Sequence, residues 1–129
     1  MHDVANVVNR DIKPDNMLFL SQTDGTDRKG DRAQIADFTT TLKVPKDDSE
    51  FKVSGDMGTF TFLAPEVHLK PAFKPKPLDV WALGVSIYTV VFGRVPFFAS
   101  SDSKLDLINA ITEGEPDYTL KIAYSHPTD

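Results

Sequence analysis

The stretch NRDIKPDN (Asn9–Asn16) places Asp11, Lys13, Asp15 and Asn16 within six positions, between the apolar runs Val7–Val8 and Met17–Leu20. Two readings fit these residues. Asp, Asn and Pro are turn formers, so KPDN by itself describes a solvated turn. The chemical reading gives each group a task. Asp11 is a carboxylate to accept a proton from a hydroxyl, Lys13 a point charge for a transferring phosphoryl group, and Asn16 an oxygen ligand for Mg2+. Phosphoryl transfer needs that combination, because its catalysis is mostly positioning plus neutralisation of charge by metal and cation. A hard Mg2+ takes one or two protein oxygens and keeps phosphate oxygens and waters for the rest. A second carboxylate is then expected elsewhere, and Asp37 in IADF stands at the end of the next strand-like run.

The surrounding elements must hold these groups in place. NVV and NMLFL are short apolar runs compatible with strands, joined by the polar loop Asn9–Asp15. Residues 21–32 are all polar with two Gly and read as a surface loop. The segment 34–36 resumes as a strand, so 17–20 and 34–36 form an expected hairpin with a long tip. From Thr39 to Gly58 the chain is polar and aperiodic, which predicts an extended, mobile segment. APEVHL makes one helical turn with Pro65 at its start. The connector KPAFKPKP cannot be helical inside. LDVWALGVSIYTVVFG is apolar almost all round and predicts a buried central helix. SDSKLDLINAITEG predicts a helix over 103–113, with Ser and Asp as caps, Leu105, Ile108 and Ile111 at helical spacing, and a stop at Gly114.

Composition narrows the function classes. A chain of 129 residues fits one domain or part of one, and 40% hydrophobic content suits a folded rather than a disordered chain. A formal charge of −5 argues against a nucleic-acid footprint, which needs clustered Lys and Arg. There is no Cys, hence no disulfide framework and no thiolate metal site, and this suits a reducing cytosol. His2, His68 and His126 are scattered. No apolar run is long enough for a membrane span and the N-terminus does not resemble a signal peptide, so a soluble, cytoplasmic protein is expected.

Four segments carry a resemblance. NRDIKPDN, ADFT, GTFTFLAPE and DVWALGVSIYTVVFGRVPF resemble, in order and rough spacing, four parts of the C-terminal lobe of protein kinases: the catalytic loop, the magnesium-binding triplet, the end of the activation segment and the central helix. The resemblance covers residues 1–118 and leaves 119–129 as an unassigned tail. It implies an α+β, kinase-like C-lobe, mainly helical with a small β-hairpin near the catalytic loop, in an incomplete domain. By the resemblance, Asp11 is the catalytic base, Lys13 contacts the γ-phosphate of ATP, and Asn16 and Asp37 are the Mg2+ ligands. Thr59 resembles the hydroxyl that bonds Asp11 and Lys13, and Asp79 the helix carboxylate that holds the loop backbone. Lys13 and GTFTFLAPE resemble serine/threonine rather than tyrosine kinases. DVWALGVSIYTVVFGRVPF is loosely similar to the calcium/calmodulin-dependent kinase kinases. The implied partners are ATP and protein substrates, with no nucleic acid or membrane.

Departures from the family pattern carry their own expectations. Asn9 stands where the family usually has His or Tyr beneath the residue equivalent to Phe38; its amide can still bond a nearby backbone carbonyl, but the smaller apolar area implies looser packing there. Thr39 replaces the Gly of the triplet, and a β-branched residue should bias the switching of that segment. The chain opens eight residues before Asn9, so it contains no glycine-rich loop and no strand Lys, and the isolated chain is expected not to turn over. Glu66 is expected to lack its usual Arg partner, and the exposed flank of the central helix should leave an apolar patch. Arg10 before the base leaves three readings of the segment 40–58: a phosphate orders it, with Ser54 the first candidate and Ser49 and Thr39–Thr41 the next; Asp47, Asp48 and Glu50 already supply that charge; or the segment is a solvated loop in which Arg10 has no anionic partner. The reading from a different class is a non-catalytic, kinase-like binding module that docks another protein through 67–118.

Overall fold

The computed structural model describes residues 1–20, 32–47, 49–50, 52 and 58–119. The chain opens on one helical turn, α1 (His2–Ala5), which ends where Asn6 takes a left-handed conformation with φ 51°. Asn tolerates that region because its short polar side chain bonds locally. The reversal feeds β1 (Val7–Val8), in which Val8 is fully buried. The loop and a short 3-10 turn (Pro14–Asn16) lead into β2 (Met17–Leu20), which pairs antiparallel with β3 (Arg32–Ile35), Met17 opposite Ile35 and Leu20 opposite Arg32. The expected hairpin is therefore present, with its second strand set slightly earlier than 34–36. Ala36 continues the ladder by donating its N–H to the Asn16 carbonyl at 2.8 Å. The expected long tip lies outside the described residues.

Part of the segment expected to be featureless forms a strand. β4 (Leu42–Lys43) pairs antiparallel with β1, Val7 opposite Lys43 and Val8 opposite Leu42. The pairing seals the buried Val8 and Val44 against the loop. A two-residue strand has no period to read, which is why the sequence pattern does not reveal it. Most of 48–57 lies outside the described residues.

A second 3-10 turn, Phe60–Phe62, precedes α2 (Pro65–Leu69), which has Pro65 at its first position as expected. The long helix α3 (Lys76–Phe92) begins inside the Pro-rich connector rather than after it. Pro77 lies in the first turn, where its missing N–H costs no intrahelical bond. α3 stops at Gly93, whose φ of 67° closes the left-handed C-cap and whose N–H bonds the Thr89 carbonyl. α4 (Lys104–Glu113) follows, with the Ser103 side chain accepting from the Asp106 N–H at its N-terminus. It packs on α2. The whole is a small α+β arrangement, and among its described residues no helix is long and apolar enough to cross a membrane.

α3 is not buried all round. One face carries Leu78, Ala82 and Val85 into the core, where Ala82 and Val85 meet Ile12 and Phe62, and Leu78 meets Ala64 and Phe73. The opposite stripe, Val80, Leu83, Ile87, Val90 and Val91, is exposed among the described residues. A uniformly apolar sequence cannot say which side is covered. The expected apolar flank is thus present, and the expectation of burial on every face is corrected. Phe62 joins the loop residue Ile12 to α3, so Phe62→Ala should cost about 3 kcal/mol of stability, read as a lower urea midpoint at unchanged slope.

Candidate active site

The loop between β1 and the first 3-10 turn is shaped from below by one carboxylate. Asp79, in the first turn of α3 and only 2% exposed, accepts the Asn9 N–H on Oδ2 at 2.8 Å and the Arg10 N–H on Oδ1 at 2.9 Å. The His2 ring adds a bond to Oδ2 at 2.8 Å. Arg10 has φ 72°, a region a non-glycine residue holds only when its surroundings over-determine it. Here its N–H is fixed by Asp79, its Nε donates to the Thr40 carbonyl at 2.6 Å, and the Thr40 hydroxyl returns a bond to the Asn9 carbonyl at 2.6 Å.

The polar groups of the loop converge. Asp11 Oδ1 accepts from the Thr59 hydroxyl at 2.9 Å, and Oδ2 accepts from Lys13 Nζ at 3.0 Å and from Asn16 Nδ2 at 3.1 Å. Lys13 also donates to Thr59 Oγ1 at 2.7 Å. An ammonium has three N–H groups, so one remains for a ligand. Asn16 spends both amide hydrogens on Asp11, on the carboxylate and on the main-chain carbonyl at 2.9 Å. Its amide oxygen takes no hydrogen bond among the described residues. Burial pushes the Asp11 carboxyl up, but the bonds from Lys13 and Thr59, the Lys13 charge and the Asn16 bond outweigh it and hold the group below the ordinary carboxylate range.

Asp37 reaches the same place from the hairpin. The bond between Ala36 and Asn16 sets Asp37 one residue beyond the end of the ladder. Its φ is 60°, its carbonyl accepts from Asn9 Nδ2 at 3.0 Å, and its Oδ1 accepts from the hydroxyl and N–H of Thr39 at 2.6 and 3.0 Å. The Thr39 hydroxyl first, then its amide, lower the Asp37 carboxyl against slight burial, and the Lys13 charge adds to them. Its Oδ2 has no hydrogen-bond partner among the described residues. An amide oxygen and a carboxylate oxygen, both hard and both without a donor, fit Mg2+. No cluster of three or more His, Cys, Asp or Glu that could hold a metal occurs among the described residues, and Mg2+ beside phosphates does not need one.

Thr59 is delivered by its neighbours. Gly58 has φ 44°, and a Cβ there would lie 2.1 Å from the Arg10 carbonyl oxygen, so only glycine lets the chain pass this close. Beyond Thr59, the Phe60 ring lies 4.9 Å from the His68 ring of α2 and 4.8 Å from Lys104 Nζ of α4. The turn after Thr59 is thereby held by two helices.

The structure brings together Asp11, Lys13, Asn16, Asp37 and Thr59, with Asp79 and Arg10 beneath them. Glu66 lies apart in α2, and its carboxylate forms no ion pair among the described residues. Ser54 lies outside the described residues. Asn9 does more than its sequence context suggests. It is fully buried, and its Oδ1 accepts the Asp11 N–H at 3.0 Å. Phe38, expected to pack on it, is 55% exposed, so Asn9 acts through hydrogen bonds rather than apolar area. Its i to i+2 spacing from Asp11 is the available signal, since Asn bonds backbone two residues on. The same spacing relates Asp37 to Thr39. His2 and Thr40 carry no local signal, because their partners lie far along the chain.

The sequence profile of the protein kinase domain matches residues 1–127, and the chain belongs to that family. Its relatives narrow this to serine/threonine kinases. Over 119 residues it is 35% identical to a probable serine/threonine-protein kinase of Dictyostelium discoideum, covering 91% of this chain and 16% of that protein. Over 108 residues it is 39% identical to a serine/threonine-protein kinase of Schizosaccharomyces pombe, covering 81% of this chain and 27% of that protein. Over 99 residues it is 38% identical to the calcium/calmodulin-dependent protein kinase type II of Caenorhabditis briggsae, covering 77% of this chain and 17% of that protein. The chain thus spans between 16% and 27% of the length of these relatives.

The network makes a titration prediction. Lys13→Met removes a bond and a charge from Asp11, and Gly58→Ala pushes Thr59 away from it. Carboxyl NMR should find Asp11 titrating below a free aspartate in the wild type and higher in both variants. Because the folded carboxyl is held low, its contribution to stability is present above the unfolded pKa and fades as pH falls through the folded one. In the two variants the fading should be weaker.

Proposed function

We propose that the chain is the catalytic part of a serine/threonine protein kinase C-lobe, and that the protein carrying it transfers the γ-phosphoryl group of ATP to a Ser or Thr hydroxyl of a protein substrate. The observation that supports this best is the closed triangle of Asp11, Lys13 and Thr59. It joins a carboxylate, an ammonium and a hydroxyl beside an amide and a second carboxylate that suit Mg2+.

In this reading the substrate hydroxyl donates a hydrogen bond to the Asp11 carboxylate, which aligns its oxygen with the γ-phosphorus. The oxygen–phosphorus bond forms as the bond to the departing ADP oxygen breaks, and the hydroxyl proton passes to Asp11. The Asp11 carboxyl, held below the ordinary carboxylate range, is ionised at neutral pH and so accepts rather than donates this bond. The remaining N–H of Lys13 faces the phosphoryl oxygens and offsets their charge. Thr59 fixes both groups at one separation and begins the wall along which the substrate chain runs. Asn16 and Asp37 would hold Mg2+, which supplies charge neutralisation at the phosphates when bound. Arg10 spends its Nε on the Thr40 carbonyl, and a phosphate on the segment 40–58 would give the rest of its guanidinium an anionic partner.

The test is transfer of labelled phosphate from ATP to a Ser/Thr peptide mixture, using the protein as the cell makes it. Asp11→Asn keeps shape and removes the base, so kcat should fall about 10²–10⁴-fold while the melting temperature stays close to wild type. Asp37→Ala should be comparably inactive. Turnover near the wild-type rate in Asp11→Asn would remove the assigned role.

A further inference from the structure

The two expected metal ligands are held in different ways. Asn16 is locked because both its amide hydrogens are spent on Asp11. Asp37 is exposed, and among the described residues its carboxylate takes hydrogen bonds from Thr39 alone. We propose that Thr39 is a positioning residue for divalent-metal binding: its hydroxyl and N–H together occupy Oδ1 of Asp37 and so present Oδ2 to the cation. The proposal rests on the phosphotransfer reading above.

The geometry is specific. The Asp37 backbone is fixed first, with φ 60° and the carbonyl tied to Asn9 Nδ2 at 3.0 Å. That leaves the side chain free to rotate unless something holds it. Thr39 aims two donors at one oxygen, the N–H at 3.0 Å and the hydroxyl at 2.6 Å, and the second oxygen keeps all its lone pairs. A glycine here would offer the N–H alone. Outer partners of this kind orient metal ligands and tune their affinity.

The experiment measures Mn2+ binding in the presence of the ATP analogue AMP-PNP, by water-proton relaxation, on the protein as the cell makes it. Thr39→Val keeps the branched shape and loses the donor, and Thr39→Ser keeps the donor. The Mn2+ dissociation constant should rise about tenfold in Thr39→Val and match wild type in Thr39→Ser, with all melting temperatures equal because the side chain is exposed. Thr39→Val binding as tightly as wild type overturns the proposal. So does equal weakening in Thr39→Val and Thr39→Ser, or a loss that tracks a lowered melting temperature. Asp37→Asn separates this from the reading beneath it. If Asp37→Asn loses binding while Thr39→Val does not, the metal site stands and the positioning role falls. If wild type binds no Mn2+, or Asp37→Asn binds like wild type, the metal site itself falls and takes the proposal with it.

Discussion

A buried carboxylate joins parts of the chain 70 residues apart, and the geometry of the loop follows from it. Asp79 would be costly on the inner face of α3 if left alone, since an ionised group without partners loses its hydration for nothing. Its two oxygens instead accept two loop amides and the His2 ring. Charge-assisted bonds of this kind are among the stronger hydrogen bonds a protein makes. They hold Arg10 in its left-handed conformation, and that conformation turns Asp11 toward Thr59. The long helix therefore acts as the rigid base of the site while contributing no group to the proposed chemistry.

Asn9 is the joint between that base and the hairpin. Its N–H goes to Asp79, its carbonyl takes the Thr40 hydroxyl, its amide nitrogen donates to the Asp37 carbonyl and its amide oxygen caps the Asp11 amide. A fully buried Asn is tolerable because every one of these groups is satisfied. The side chain of Asn9 thus links Asp11 to Asp37.

What the sequence makes legible follows the range of the interactions. Asp11, Lys13 and Asn16 are readable because their spacing is local, and α4 because its cap, its period and its terminal glycine agree. The β2–β3 hairpin is readable from two apolar runs around a polar stretch. The β1–β4 pairing is not, because two residues show no alternation. The start of α3 is hidden by prolines that forbid a helix interior yet suit its first turn. Its exposed stripe is hidden because Val80, Ile87 and Val91 look no different from the residues that face the core. The bonds of His2 and Thr40 are set by folding rather than by neighbours in the chain, so no local pattern announces them.

The β2–β3 hairpin is a two-stranded sheet in which Leu18 is 54% and Phe19 72% exposed. Adjacent strand residues face opposite sides, so the hairpin is open on both faces at Leu18 and Phe19. At its base the paired Met17 and Ile35 pack against the core cluster of Ile12, Phe62, Ala82 and Val85. A two-stranded hairpin is marginal by itself, so this one depends on its packed base. The loop amides of Asn9 and Arg10 are likewise tied into the core, through Asp79. Amide hydrogen exchange should therefore be graded along the hairpin, slow where Met17 and Ile35 meet the core and fast toward Phe19. The whole cluster thus sits at the anchored end of an element whose far end is open to solvent.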